Sequence, residues 1–165
     1  MKIHLLILDV DGVLTDGSIF ITEQGQEIKK FNALDGYGLN RLVKSGLPIA
    51  IISGRHSEAV NHHLRRFGIE DIYQGQQDKT VAFKQLLDKY DVHPGNVAYV
   101  GDDLPDLPLM QQVGMPIAVA NAVVEIKHAA HWITKYTGGR GAVREVCDYL
   151  YRLRTQQETV LCPQG

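Results

Sequence analysis

The sequence predicts an α/β fold: a parallel β-sheet flanked by helices, with a β-hairpin inserted after the first strand. Three observations carry that prediction. Short apolar runs alternate with longer amphipathic segments, the pattern of parallel strands joined by crossover helices. The runs are about four residues long and rich in Leu, Ile and Val, as strands buried on both faces are. One segment, residues 18–31, breaks the alternation with two strand-like stretches around a turn. At 165 residues the chain suits one core. We therefore expect a single domain over residues 1–155 and a disordered tail over 156–165.

The first strand is Leu5-Leu6-Ile7-Leu8, which ends at Asp9. The hairpin follows. Ser18-Ile19-Phe20-Ile21-Thr22 and Gln26-Glu27-Ile28-Lys29-Lys30-Phe31 flank Glu23-Gln24-Gly25, a turn composition. A lone hairpin is too thin to bury that many large apolar side chains. Further strands are read at 49–52, 97–100 and 117–119, each bounded by Gly, Pro or Asp. Helical periodicity falls over 38–44, 57–67, 79–90, 107–113 and 125–130. A last helix runs over 142–154, with Val143, Val146, Cys147, Leu150 and Leu153 as its apolar stripe.

The charge balance narrows the partners. A formal net charge of −2 gives no electrostatic basis for binding nucleic acid or an anionic membrane. The apolar start stops at Asp9, too short for a signal peptide or a membrane span, so a cytoplasmic location is expected. Of the two cysteines, Cys147 is expected to be a buried thiol, and Cys162 lies in the polar tail. Neither belongs to a disulfide framework or a zinc pattern.

The chemistry gathers at strand ends, where ligand sites of open α/β sheets lie. Asp9-Val10-Asp11-Gly12 closes the first strand. Residues two apart in an extended chain point to one side, so Asp9 and Asp11 can share a pocket. Two such carboxylates repel unless one is protonated or a cation is near, and they suit a nucleophile and a general acid/base. Gly101-Asp102-Asp103-Leu104-Pro105-Asp106 repeats the arrangement after another strand. Capping the following helix needs one carboxylate, and there are three. Together with Asp9 and Asp11 they call for a hard cation such as magnesium. Ser53-Gly54-Arg55 follows the strand at 49–52 and offers a hydroxyl and a freed backbone N–H for phosphate oxygens. Lys79 opens a helix, where its charge opposes the macrodipole. That conflict points to charge balance on a phosphate.

In this order the motifs resemble the haloacid dehalogenase (HAD) superfamily of phosphohydrolases. The resemblance implies a Rossmann-like sheet and a catalytic set of Asp9, Asp11, Ser53 and Lys79. Asp9 would be the nucleophile, forming an aspartyl-phosphate, and Asp11 the acid. Ser53 and Lys79 would hold the phosphoryl group. It places magnesium on Asp9, the backbone carbonyl of Asp11, and Asp102, with Asp103 and Asp106 just beyond the ligands. Many members carry Thr two residues after the second Asp; here that position is Val13.

A narrower likeness rests on residues 9–17, Phe31-Asn32, Asp35-Gly36, 52–55 and 138–145, and spans residues 1–152. It is to superfamily members that dephosphorylate sugar-acid phosphates. It implies a small-molecule sugar phosphate of eight carbons as substrate, with a nine-carbon relative as runner-up. Gly54, Arg55, Asn32, Asp35, Arg140 and Arg144 are the candidate substrate-binding residues. It further implies a cytoplasmic homotetramer serving lipopolysaccharide synthesis. The spacing agrees on one point: a single helix and strand separate Lys79 from Asp102, leaving no room for a large cap domain. A neighbouring subunit would close the pocket, with the apolar hairpin as contact and Arg140, in a glycine-rich and mobile segment, reaching across.

Two other classes fit parts of the pattern. A phosphorelay receiver also uses an acidic pocket, Ser or Thr and Lys, but its phosphorylated Asp follows the acidic pair on another strand. A silent oligomerising domain would keep the hairpin without needing all four motifs.

Overall fold

The structure, a computed structural model, describes the backbone of residues 2–161 and the side chains of residues 2–156. Strand β1 (Leu5–Leu8) is followed by the hairpin strands β2 (Phe20–Ile21) and β3 (Glu27–Ile28). Then come α1 (Ala33–Lys44), β4 (Ile49–Ile52), α2 (Glu58–Arg65), β5 (Asp71–Tyr73) and α3 (Lys79–Tyr90). The second half holds β6 (Val97–Gly101), a 3-10 turn at Leu104–Asp106, α4 (Leu107–Met110), β7 (Met115–Ala118), α5 (Val124–Ala129), β8 (Trp132–Ile133) and α6 (Ala142–Leu161).

Six parallel strands form the main sheet in the order β5-β4-β1-β6-β7-β8. β1 lies between β4 and β6, and every residue of these three strands is buried. That is why they read as unbroken apolar runs rather than as alternation. The register sets Leu8 level with both Ile51 and Val100. The segments leaving β1, β4 and β6 therefore emerge side by side at one end of the sheet. Cys147 is buried on α6 as expected, and burial pushes its thiol pKa far up. Cys162 lies outside the described residues.

Several boundaries differ from the sequence reading. β5 and β8, two short edge strands, were invisible because two or three residues carry no periodicity. Asp71, a charge in β5, is held by Lys89 and the Tyr90 hydroxyl. α1 starts five residues earlier than the periodicity suggested, capped by Asn32. Gly36 and Gly38 hid that start, since glycine weighs against helix. They are there for contact: a Cβ at Gly38 would come within 3.0 Å of the Cys147 Cβ on α6. α6 extends to Leu161, beyond the expected stop at residue 154. Of the tail read over 156–165, residues 162–165 lie outside the described residues.

Candidate active site

β1 ends by handing the chain to a tight turn. The Asp9 N–H still reaches the Val100 carbonyl (3.1 Å), and the Val10 carbonyl then accepts from Val13, Leu14 and Thr15. Buried Thr15 braces the turn, its hydroxyl accepting from the Gly12 and Gly17 N–H groups. Gly12 sits at φ +84°, and a Cβ there would lie 1.9 Å from Asp102 Oδ2. Only glycine lets the first acidic loop approach the second so closely.

Asp9, Asp102 and Asp106 bring carboxylate oxygens within 4.8 Å of one another. The three carboxylates differ in what satisfies them. Asp106 is 1% exposed and fully engaged: it accepts from the Tyr99 hydroxyl (2.6 Å), Lys79 Nζ (2.7 Å) and the Asp102 N–H (2.8 Å). Asp9 is buried, accepts from the Val10 N–H (2.7 Å) and pairs with Lys79 Nζ at 3.1 Å. Burial, then the charge of Asp106, pushes its pKa up to about 7 against the pull of Lys79. Asp102 is pushed up to about 8 by burial first and then by Asp9, Asp106 and Asp103. One lysine thus faces three clustered carboxylates. The donors are all oxygen, and Asp9 and Asp102 have capacity to spare, which fits a magnesium ion better than zinc or a soft metal. Asp103 caps the 3-10 turn and is exposed.

Lys79 resolves its conflict with the helix dipole by turning inward. Asp78 caps α3 by accepting from Thr80 N–H, and the Lys79 side chain runs to Asp9 and Asp106. Burial opposes its charge, but the two carboxylates outweigh burial and raise its pKa. Ser53 leaves β4 buried, its N–H donating to the Tyr73 carbonyl (2.8 Å). Asp9, Ser53, Lys79 and Asp102 line a cleft of about 310 Å³ with Asp11, Gly17, Gly54, Arg55, Asp103 and Pro105. A second cleft, about 360 Å³, holds Arg41, Lys44 and Arg154 beside the end of α1. Arg154 there donates to the Ser45 carbonyl and Arg41 pairs with Asp148, so these two arginines serve the helices.

Four of the expected substrate-binding residues do not line the main cleft in this chain. Asn32 caps α1 by accepting from the Leu34 and Asp35 N–H groups. Asp35 is buried beneath the start of α6, where it accepts the Arg144 N–H (2.8 Å). Arg144 itself pairs with Asp148 (2.8 Å) and lies over the Tyr37 ring. Arg140 is 3.8 Å from Asp16, with its side chain 68% exposed.

The structure adds residues that the sequence reading missed. Lys29 and Glu27, from the hairpin, meet Asp11 and Arg55. Lys29 Nζ is 2.5 Å from Asp11 Oδ1 and 2.8 Å from Glu27 Oε1, and Glu27 Oε2 is 2.5 Å from Arg55. Burial works against the Lys29 charge, but its bonds to Asp11 and Glu27 prevail and raise its pKa. The available signal was alternation, since residues 27 and 29 share a strand face. Asn121 is the second addition. Its amide donates to the Gly12 carbonyl (3.2 Å) and accepts from Gly138 N–H (2.6 Å). The glycine-rich segment expected to be mobile is packed: a Cβ at Gly138 would lie 1.7 Å from the Gly12 carbonyl oxygen, and one at Gly139 2.5 Å from the Asp16 nitrogen. These glycines serve close approach to the acidic loop.

Known proteins resemble this chain in sequence and fold. A family model described as haloacid dehalogenase-like hydrolase matches residues 65–146. The 3-deoxy-D-manno-octulosonate 8-phosphate phosphatase of Escherichia coli K12 is 51% identical over 149 residues, covering 90% of this chain and 79% of that protein. The crystal structure of the Yersinia pestis phosphatase of that name superposes with a TM-score of 0.90 at 48% identity, over 94% of this chain and 83% of that one. The Moraxella catarrhalis phosphatase, solved with magnesium ion, phosphate ion and a KDO molecule, gives a TM-score of 0.90 at 40% identity, over 96% and 91%.

Proposed function

The chain belongs to the haloacid dehalogenase-like hydrolases, in the family of the 3-deoxy-D-manno-octulosonate (KDO) 8-phosphate phosphatases, and from that premise we propose that it hydrolyses KDO 8-phosphate to KDO and phosphate through an aspartyl-phosphate on Asp9. The observation that carries this reading is the convergence of Asp9, Lys79 and Asp102 on one cleft beside Asp11 and Ser53. Magnesium is the cofactor, held in our reading by Asp9, the Asp11 carbonyl and Asp102; when bound it neutralises charge on the phosphoryl group.

The remaining chemistry belongs to the side chains. An Asp9 carboxylate oxygen attacks phosphorus, forming the Asp9 O–P bond as the ester P–O bond breaks. Asp11 gives a proton to the departing alkoxide, then takes one from the water that hydrolyses the aspartyl-phosphate. Lys79, already 3.1 Å from Asp9, and Ser53 bind the phosphoryl oxygens. Asp106 fixes Lys79, and Asp103 sets the turn after Asp102. Gly54 and Arg55 form the cleft wall that faces the sugar acid. Asn32 and Asp35 act from behind by setting α1 and the start of α6.

The working form is a homotetramer in the cytoplasm, built from one domain per chain. Ile19, Phe20, Ile21 and Ile28 are all about half exposed on the hairpin, which favours burial against another copy. Arg140, the most exposed guanidinium near the acidic loop, then closes the neighbouring cleft, with Arg144 steering from its place beside Asp148.

The test is phosphate release from a panel of sugar phosphates with magnesium. KDO 8-phosphate should be turned over fastest, chelation should stop turnover and magnesium restore it. Asp9→Asn should lower kcat by roughly four orders of magnitude with the fold intact. Faster turnover of a nine-carbon sugar-acid phosphate would reassign the substrate, and near-normal turnover by Asp9→Asn would end the covalent mechanism.

A further inference from the structure

The hairpin shows an inversion of the usual burial pattern. Its apolar residues Phe20, Ile21 and Ile28 are exposed, while the Lys29 side chain, a cation, is 3% exposed. Burying an ammonium costs free energy unless carboxylates surround it. Two do: Asp11 at 2.5 Å and Glu27 at 2.8 Å. Glu27 is held in turn by Arg55 at 2.5 Å, and Arg55 Nε lies 3.9 Å from the other oxygen of Asp11. Extended backbone puts residues 27 and 29 on the inner face and Ile28 on the outer one. The outcome is a ring of four charges closed on Asp11.

We infer that Lys29 is a positioning residue for proton transfer: through its bond to Oδ1 it fixes the Asp11 carboxylate at the angle from which the leaving oxygen is protonated, and Glu27 keeps Lys29 in place. This rests on Asp11 as the acid in the proposed hydrolysis. A different account of the same contacts would make Lys29 a staple that only ties the hairpin to the domain. The two differ in what they do to substrates. A staple supports every substrate alike. An orienting group matters in proportion to the leaving group's need for a proton, which is large for a sugar alkoxide and small for p-nitrophenolate.

The experiment uses the full chain with magnesium and compares Lys29→Met, Lys29→Arg and Glu27→Gln on KDO 8-phosphate and on p-nitrophenyl phosphate. Asp11→Asn serves as the reference, and sedimentation and a thermal melt verify assembly. Lys29→Met should lower kcat on the sugar phosphate by roughly 30-fold, with less than about a 3-fold loss on p-nitrophenyl phosphate. Lys29→Arg should recover most of the loss. Glu27→Gln, which loosens Lys29 without removing it, should show the same selectivity at smaller size; it carries the test if Lys29→Met does not fold. Equal losses on both substrates in the Lys29 and Glu27 variants, with Asp11→Asn still selective, would overturn the inference. Equal losses in Asp11→Asn would remove the acid role of Asp11 and the inference with it.

Discussion

Asp9, Ser53 and Asp102 follow strands whose residues are all buried and whose register sets Leu8 level with Ile51 and Val100. Lys29 reaches Asp11, in the wall of the same cleft, from a hairpin of two two-residue strands that leaves Phe20, Ile21 and Ile28 exposed. The first region fixes its groups through close-packed backbone, in which a misplaced methyl is felt. The second fixes its group through a few charges, with little packing behind it. Precision in this site thus has two sources, and they should fail differently under mutation, pH and assembly.

Gly138→Ala should break the rigid side most severely. Its new methyl would meet the Gly12 carbonyl oxygen at 1.7 Å, a backbone atom with no rotamer to escape through. We expect a loss of about 3 kcal/mol in urea unfolding, and a fall in kcat larger than any rise in KM. A cost below about 0.5 kcal/mol would mean that the acidic loop yields easily, and the contrast with the hairpin would collapse.

A pH series sharpens the electrostatic part. Without metal, the pKa values of Asp9 and Asp102 rise to about 7 and about 8 from the ordinary 3.8. The folded state therefore keeps protons that the unfolded chain has already released. Stability from these two groups is fully present below the unfolded value and is lost as pH rises through about 7 and 8. In chelator, melting temperature should fall across that window, and the gain on adding magnesium should widen with pH. The double variant Asp9→Asn, Asp102→Asn should flatten both trends; an unchanged slope would place the titration elsewhere.

The smallest effect on the fold should come from the hairpin's outer face. Phe20→Ser removes a half-exposed ring and should change single-chain stability by less than about 0.5 kcal/mol. Sedimentation should nevertheless shift to smaller species. An unchanged assembly would show that this face is not the contact.

The same division explains what the sequence disclosed. An apolar run stopped by a polar residue is a local signal, so β1 and β6 with their acidic ends, and β4 with Ser53 after it, could be read directly. Lys79 could be read because a cation at a helix start is a local conflict. The pairing of Lys29 with Asp11 depends on a fold-back across 18 positions that no window reveals. Asn121 is joined to Gly12 across 109 positions and is equally silent. Gly138 and Gly139 were misjudged for a physical reason: glycine permits both mobility and close approach, and only the neighbouring backbone tells which applies.

That backbone contact also orders events during synthesis. Asp9 is translated early, yet the glycines that seat its loop follow 129 residues after it. At ribosomal speed the nascent chain spends on the order of ten seconds with Asp9 made and its loop unseated. Until then a half-made chain carries clustered negative charge without the contact that orders it. The acidic loop is therefore among the last parts of the fold to be seated.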